Sequence, residues 1–297
     1  MNKQTAMIIN GVLGDIYGAP LEMMPMEYIH KVYGTEITDY IVTDKVCERQ
    51  FTYTDDSEMT LAVLDIVNQY KNGVELSKES VLSTYIKYFE PTRGYSGNVY
   101  RMFCNYIIDK KTINERNTNS NGSLMRISPL CLIDFKSDDE LKKIIRIIHY
   151  PTHMNEDAFN TSFVYIKILL LIKENKHKFL DIIKYVSDNY AGNKLKQKLE
   201  FILNNNELDE FEGVDELIGL DGIVSEETLS VALWGVLKNI NTPQKILGKV
   251  LAYGGDTDTI GSIAGQITGL MFGETVINKE WIKHIENKDN FINLIGI

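Results

Sequence analysis

The 297-residue chain has few cysteines and comparatively little basic charge. Cys47, Cys104 and Cys131 are too few and too scattered for a disulfide framework, and none stands in a CxxC pair, which argues against a zinc ribbon. Their odd number favours a reducing compartment. Lysine and arginine total 31 against 41 acidic residues, a net charge of -10. Such a chain is a poor electrostatic partner for bare nucleic acid, so a nucleic-acid substrate is disfavoured. Long apolar runs are also missing. The most apolar stretch, Phe163 to Ile172, is interrupted by Lys167 and is far too short to span a bilayer. Met1 to Leu13 lacks the basic region, apolar stretch and cleavage site of a signal peptide, so a cytoplasmic, non-membrane protein is expected. Alternating patterns are scarce, and Ile37 to Val42 is the one passable strand candidate.

What the chain does have is helical periodicity. Met59, Val63, Ile66, Val67 and Tyr70 fall at steps of three and four within Thr54 to Tyr70. Ile260, Ile263, Ala264, Ile267 and Met271 repeat the pattern near the other end. Further helical stretches are Thr5 to Ile16, Lys78 to Phe89, Gly97 to Asp109, Asp139 to His149, Asp157 to Glu174, Lys178 to Asn189, Lys194 to Asn204, Glu226 to Asn239 and Thr242 to Tyr253. Asn114 to Asn121 and Asn204 to Gly213 read as polar loops. Helices with short polar joints imply an all-α fold. With 44% apolar residues, 24% charged residues and no long linker, residues 1-297 read as a single domain able to bury its own core.

Two short segments carry the chemistry. Thr54-Asp55-Asp56-Ser57 stands where a helix begins, and one reading is an N-cap, whose oxygens accept from free backbone N–H groups. A single cap does not need two adjacent, mutually repelling carboxylates, and a cation would account for the second. Gly254-Gly255-Asp256-Thr257-Asp258-Thr259 likewise opens a helix with two carboxylates and hydroxyls in one arc. Both clusters offer hard oxygen ligands without His or Cys, a set that selects Mg²⁺, Mn²⁺ or Ca²⁺ over Zn²⁺. Four carboxylates and two hydroxyls would suit two adjacent ions, but spacing alone does not decide whether the clusters meet. Behind the second cluster Gly261, Gly265 and Gly269 recur every four residues, a smooth stripe for close packing of another helix. Gly11, Gly14 and Gly18 read as tight helix packing before a turn. Asn121-Gly122-Ser123-Leu124-Met125-Arg126-Ile127 reads as a turn and cap opening a helical run, or as backbone N–H groups presented to a phosphate.

GVLGDIYGAPLE, YTDDSEMT, RGYSGNVY, NGSLMRISPL, PTHMNEDAF and GGDTDTIGSIAGQITG, in this order from Gly11 to Gly269, together resemble the ADP-ribosylglycohydrolases. This is the family of the dinitrogenase reductase-activating glycohydrolase and the ADP-ribose-acceptor hydrolases. The resemblance implies an orthogonally packed all-α bundle and a centre of two Mg²⁺ or Mn²⁺ ions. By resemblance the ligands are Thr54, Asp55, Asp56, Asp256, Asp258 and Thr259, and the mobile acid seven positions after Asp15 is Glu22. Glu22, Asp55 and Asp256 are thereby the expected catalytic residues. The substrate side is carried over to Asn121, Gly122 and Ser123 in the loop lining diphosphate and ribose, to His153, and to Gly94, Tyr95 and Gly97 near the phosphates. His153 could equally be a packed or capping residue, and Arg126 reads as an internal salt-bridge partner. Ser57, Ser96 and the acidic run Met154-Asn155-Glu156-Asp157 depart from the family pattern, which bears on fine specificity rather than on the acids.

The implied activity is metal-dependent hydrolysis of the glycosidic bond at the distal ribose, releasing ADP-ribose from modified protein side chains, with arginine linkage expected first. Serine-linked protein, ADP-ribosylated nucleic acid and free ADP-ribose derivatives are alternative substrates. A blocker of an ADP-ribosyltransferase toxin is the contrasting class, which would make such a transferase a partner. A monomer is expected.

Overall fold

The computed structural model describes residues 1–43, 50–109 and 114–295; Cys47 lies outside them. Cys104 and Cys131 are free thiols. Among the described residues there are fourteen α-helices and no strand. They are α1 (Lys3–Gly18), α2 (Met26–Tyr33), α3 (Asp55–Lys71), α4 (Lys78–Tyr88), α5 (Gly97–Asp109), α6 (Asp138–His149) and α7 (Glu156–Glu174). There follow α8 (Phe179–Asn189), α9 (Asn193–Asn204), α10 (Glu210–Leu217), α11 (Ser225–Lys238), α12 (Ile246–Val250), α13 (Thr257–Phe272) and α14 (Lys288–Ile295). No described helix is long and apolar enough to cross a membrane.

The bundle is built around α1 and α13. Every residue from Thr5 to Gly18 and from Thr257 to Leu270 is buried, so both helices are enclosed on all sides, as a central helix must be. They touch through the two glycine stripes. A Cβ added to Gly14 would lie 2.1 Å from the Gly261 carbonyl oxygen, one on Gly18 2.5 Å from Thr257 O, one on Gly265 2.2 Å from Asn10 O, and one on Gly269 2.3 Å from Ala6 O. Rising numbers on one helix meet falling numbers on the other, so the pair is antiparallel and in backbone contact along its length. Buried polar groups between and around the pair find partners. Asn10 Nδ2 donates to Gly265 O at 3.1 Å and Thr268 Oγ1 at 2.9 Å, and Tyr165 OH donates to Gln266 Oε1 at 2.6 Å. Helices α3, α7, α11 and α12 pack around α13.

Three sequence expectations are corrected. Residues 37–43 form no strand. Ile37 N instead donates to Gly248 O at 2.8 Å, and Trp281 Nε1 donates to Thr38 O at 3.2 Å, so the segment crosses over helix ends without a ladder partner. The 204–213 region is a loop only in part, because α10 starts at Glu210 with Asp209 as its N-cap. Residues 242–253 divide into α12 flanked by two 3₁₀ turns, Pro243–Lys245 and Leu251–Tyr253. A Cβ on Gly248 would lie 2.4 Å from Ile37 O, so the short helix is where the crossing segment comes closest.

Candidate active site and metal centre

The antiparallel pairing puts the C-terminal end of α1 beside the N-terminal end of α13, and the N-terminal end of α3 joins them. Asp15, fully buried in α1, accepts from Thr54 N at 3.0 and 3.1 Å and from Ser57 N at 3.0 Å. Asp15 therefore satisfies N–H groups at the start of α3 from another helix. Thr54 itself is the N-cap, its hydroxyl accepting from Asp56 N at 3.3 Å. With those donors occupied, Asp55 and Asp56 are released from capping. Asp256 stands at the N-cap position of α13 yet makes no capping bond. Its Oδ2 accepts instead from Asn121 Nδ2 at 2.6 Å. The Gly254-Gly255 turn that aims it has φ of +77° and +69°, a left-handed backbone suited to glycine, and Asp256 N donates to Asp221 O at 2.8 Å.

The two acid clusters meet. Thr259 Oγ1 donates to Asp56 Oδ2 at 3.3 Å, across about 200 residues of chain. Glu22, Asp256 and Asp258 present ligand atoms all within 4.8 Å of one another. Glu22 follows the 3₁₀ turn Ala19–Leu21 that leaves α1, and its segment is pinned by Met23 N donating to Gly255 O at 2.7 Å and Gly255 N to Met24 O at 3.1 Å. Asp56, Asp256 and Asp258 are buried and Glu22 and Asp55 half-buried, and removal from water is the main cause that raises Asp55, Asp56 and Asp258 well above the ordinary carboxyl range. Mutual repulsion adds to it: Asp15 acts next on Asp55 and Asp56, and Asp256 next on Asp258. Asp56 Oδ1 is buried with no hydrogen-bond partner among the described residues. Hard oxygens, crowded like charges and an orphaned carboxylate oxygen together fit a divalent cation, whose charge would offset the repulsion.

These residues line a cleft of about 250 Å³. Its wall includes Glu22, Thr54, Asp55, Asp56, Gly94, Tyr95, Asn121, Gly122, His153, Asp256, Asp258 and Thr259 from the sequence-derived set. Ser123 and Gly97 are not part of that lining: Ser123 is fully buried behind it, and Gly97 is exposed at the start of α5. Ser96, one of the family departures, does line it. The acidic run Met154-Asn155-Glu156-Asp157, another of the departures, serves helix α7 instead. Asn155 caps α7, Glu156 pairs with Arg146 at 2.9 Å, and Asp157 pairs with Lys194 at 2.6 Å. Asn121 to Ser123 form a 3₁₀ turn rather than opening an α-helix. Arg126 is an internal residue, but no carboxylate pairs with it among the described residues. Its Nη2 donates to Ile148 O at 3.1 Å and Thr152 Oγ1 at 2.7 Å, and its guanidinium lies 4.9 Å from the Tyr85 ring centre.

Three contributors were not visible as site residues in the sequence. Asp15 frees the α3 acids, Thr228 joins Asp256 in holding the Asn121 amide, accepting from Nδ2 at 3.0 Å, and Glu58 anchors the Tyr95 wall. Glu58 Oε1 accepts from Tyr95 OH at 2.7 Å and Glu90 N at 2.8 Å, with Arg93 Nε 3.6 Å from its other oxygen. The sequence signals were faint: an acid inside a glycine-rich helix, and an acid one turn beyond the cap.

A sequence profile of the ADP-ribosylglycohydrolase family matches residues 1–296. The chain belongs to the ADP-ribosylglycohydrolase family. Among proteins it is similar to, the ADP-ribosylhydrolase ARH3 of Gallus gallus is 23% identical over 275 residues, covering 79% of this chain and 74% of that protein. The protein YegU of Escherichia coli (strain K12), uncharacterized, is 24% identical over 290 residues, covering 90% and 86%. A solved structure described as an ADP-ribosylglycohydrolase-related protein complex superposes with a TM-score of 0.71 at 19% identity, covering 99% of this chain and 95% of that one. The bundle is thus the ADP-ribosylglycohydrolase fold, and membership carries the hydrolase class.

Proposed function

We propose that this ADP-ribosylglycohydrolase releases ADP-ribose from modified protein side chains by metal-dependent hydrolysis of the glycosidic bond at the distal ribose. The observation that carries the reading is the convergence, in one cleft, of the two acid pairs Asp55–Asp56 and Asp256–Asp258. Thr54, Asp55, Asp56, Asp256, Asp258 and Thr259 would hold two Mg²⁺ or Mn²⁺ ions. Bound there, the ions would supply positive charge to the ribose hydroxyls and make water more acidic.

The chain's own groups account for the rest. Asn121 fixes one oxygen of Asp256, a residue of the cleft lining. Glu22, half-buried beside Asp256 and Asp258, is placed to take a proton from water as it adds to the anomeric carbon. Cleavage consumes one water and returns the side chain with a proton on its former glycosidic atom. Gly94, Tyr95, Asn121, Gly122 and His153 line the cleft together with the acids, which supports their assignment to substrate binding. Ser123 would act through its 3₁₀ turn and Gly97 through the start of α5. Residues 1–297 would work as a single domain and as a monomer in the cytoplasm.

Arginine linkage is the first substrate proposed, and similarity to ADP-ribosylhydrolase ARH3 widens the set to other ADP-ribose substrates. The test is release of ADP-ribose from arginine-, serine- and DNA-linked substrates with Mg²⁺, Mn²⁺ or EDTA. Release that EDTA abolishes is expected for at least one protein linkage; no metal-dependent release from any of them overturns the reading.

A further inference from the structure

The cleft lining contains a hydrogen-bond relay whose proton positions are determined by its neighbours. His153 is buried, with Nδ1 2.8 Å from Thr152 Oγ1 and Nε2 2.9 Å from Ser120 Oγ. Its ring sits against Gly122, where a Cβ would come within 2.7 Å of His153 Cε1, so the ring is confined. The ring is neutral, since burial first and the Arg126 charge second depress its pKa well below the usual imidazole value.

Thr152 decides which nitrogen carries the proton. Arg126 Nη2 donates to Thr152 Oγ1 at 2.7 Å, and a guanidinium only donates. The Thr152 hydroxyl proton then has two outlets, His153 Nδ1 at 2.8 Å and His149 O at 3.4 Å. That carbonyl already accepts from Thr152 N and His153 N, each at 3.0 Å. The shorter contact to the ring nitrogen wins, making Nδ1 an acceptor. The ring proton is therefore on Nε2, which donates to Ser120 Oγ. Ser120 lines the cleft, and among the described residues its hydroxyl has one further contact, Thr118 Oγ1 donating to it at 3.4 Å, long for an O–H···O bond, which gives its own proton no acceptor.

We infer that Ser120 is a substrate-binding residue whose hydroxyl, held as an acceptor by the Arg126–Thr152–His153 relay, donates into the cleft to an acceptor-only oxygen of the bound nucleotide. Diphosphate oxygens are that chemical class. His153, besides lining the cleft, is on this account the residue that positions Ser120. The inference rests on the proposed ADP-ribose site but makes a separate commitment about proton placement.

Two measurements test it. Two-dimensional NMR of ¹⁵N-histidine-labelled protein should show His153 Nε2 as protonated and Nδ1 as the bare nitrogen, and Thr152→Val should lose that signature while Thr152→Ser keeps it. A protonated Nδ1 in the wild-type protein overturns the relay. Ser120→Ala should weaken ADP-ribose binding and raise KM by about tenfold while leaving kcat within about twofold, with Ser120→Thr restoring most of the affinity. Unchanged affinity in Ser120→Ala, in a protein whose wild type binds ADP-ribose, overturns the substrate contact. If the wild type releases no ADP-ribose at all, the hydrolase reading falls, and the NMR result still decides the relay.

Discussion

Asp56 shows how the site is charged. Its carboxyl is buried beside Asp15, Asp55 and Asp256, which holds its pKa far above the ordinary range. A group raised in the folded state contributes stability that is present below its unfolded pKa of about 4 and lost as pH rises through the folded value. In chelator, Asp56→Asn should therefore raise the melting temperature near pH 8, and the gain should shrink as pH falls toward about 5. With Mg²⁺ or Mn²⁺ the sign should reverse, because the variant loses a ligand. Thermal melts at both pH values, with and without ion, check this; a variant that the ion stabilises as much as it stabilises the wild type would remove Asp56 from the metal set. Asp256→Ala combined with Asp258→Ala should cut ADP-ribose release by at least about a hundredfold, measured with saturating ion.

At the scale of elements, the stripes on α1 and α13 make the sharpest claim. Gly14→Ala would drive a Cβ to 2.1 Å from the Gly261 carbonyl oxygen, where backbone cannot yield as a side chain does. A loss of about 3 kcal/mol or more is expected by denaturant unfolding, together with weakened ion binding because the acids ride on the same two helices. Gly97→Ala, with open space around its Cβ position, serves as the control and should change stability by less than about 1 kcal/mol. The helices that position the site were legible because α3 and α13 combine capping chemistry with an apolar period. The α13 stripe announced a close partner, and its identity as α1 needed the fold. Helix α10 was hidden by its acidic start and by Gly213, which reads as a turn residue. In the structure that glycine makes room for Trp234, whose ring carbon would meet a Cβ at 2.1 Å. The alternation of 37–42 misled for the complementary reason: only Ile37 is buried among the described residues there, and its backbone bonds to a helix end. Within the site, the acids stood out as charges with no local need. Asp15, Thr228 and Ser120 did not, since each matters only through a partner brought near by folding.

For the whole molecule, ion binding should act as a stability term. The four acids come from two distant segments, so a cation held between them links the folded halves and not the unfolded chain. Addition of Mg²⁺ or Mn²⁺ to chelated protein should raise the melting temperature, more near pH 8 than near about pH 5, because protons compete for the same raised carboxyls. Differential scanning fluorimetry reads this directly, and equal shifts at both pH values would argue that the ions bind elsewhere.

The pairing of α1 with α13 also governs the order of events during synthesis. Met1 N lies 2.8 Å from Glu274 Oε2, so the start of α1 docks beside a segment 273 residues further along the chain. On the ribosome, the glycine face of α1 stays without its counterpart until residues 257–272 have left the exit tunnel. Folding of the core is consequently held until α13 has been made, with contacts of long sequence separation and a correspondingly slow closure. A nascent chain arrested before Gly254 should bind no divalent cation and remain sensitive to protease. A circular permutant that places α13 directly before α1 should become resistant earlier.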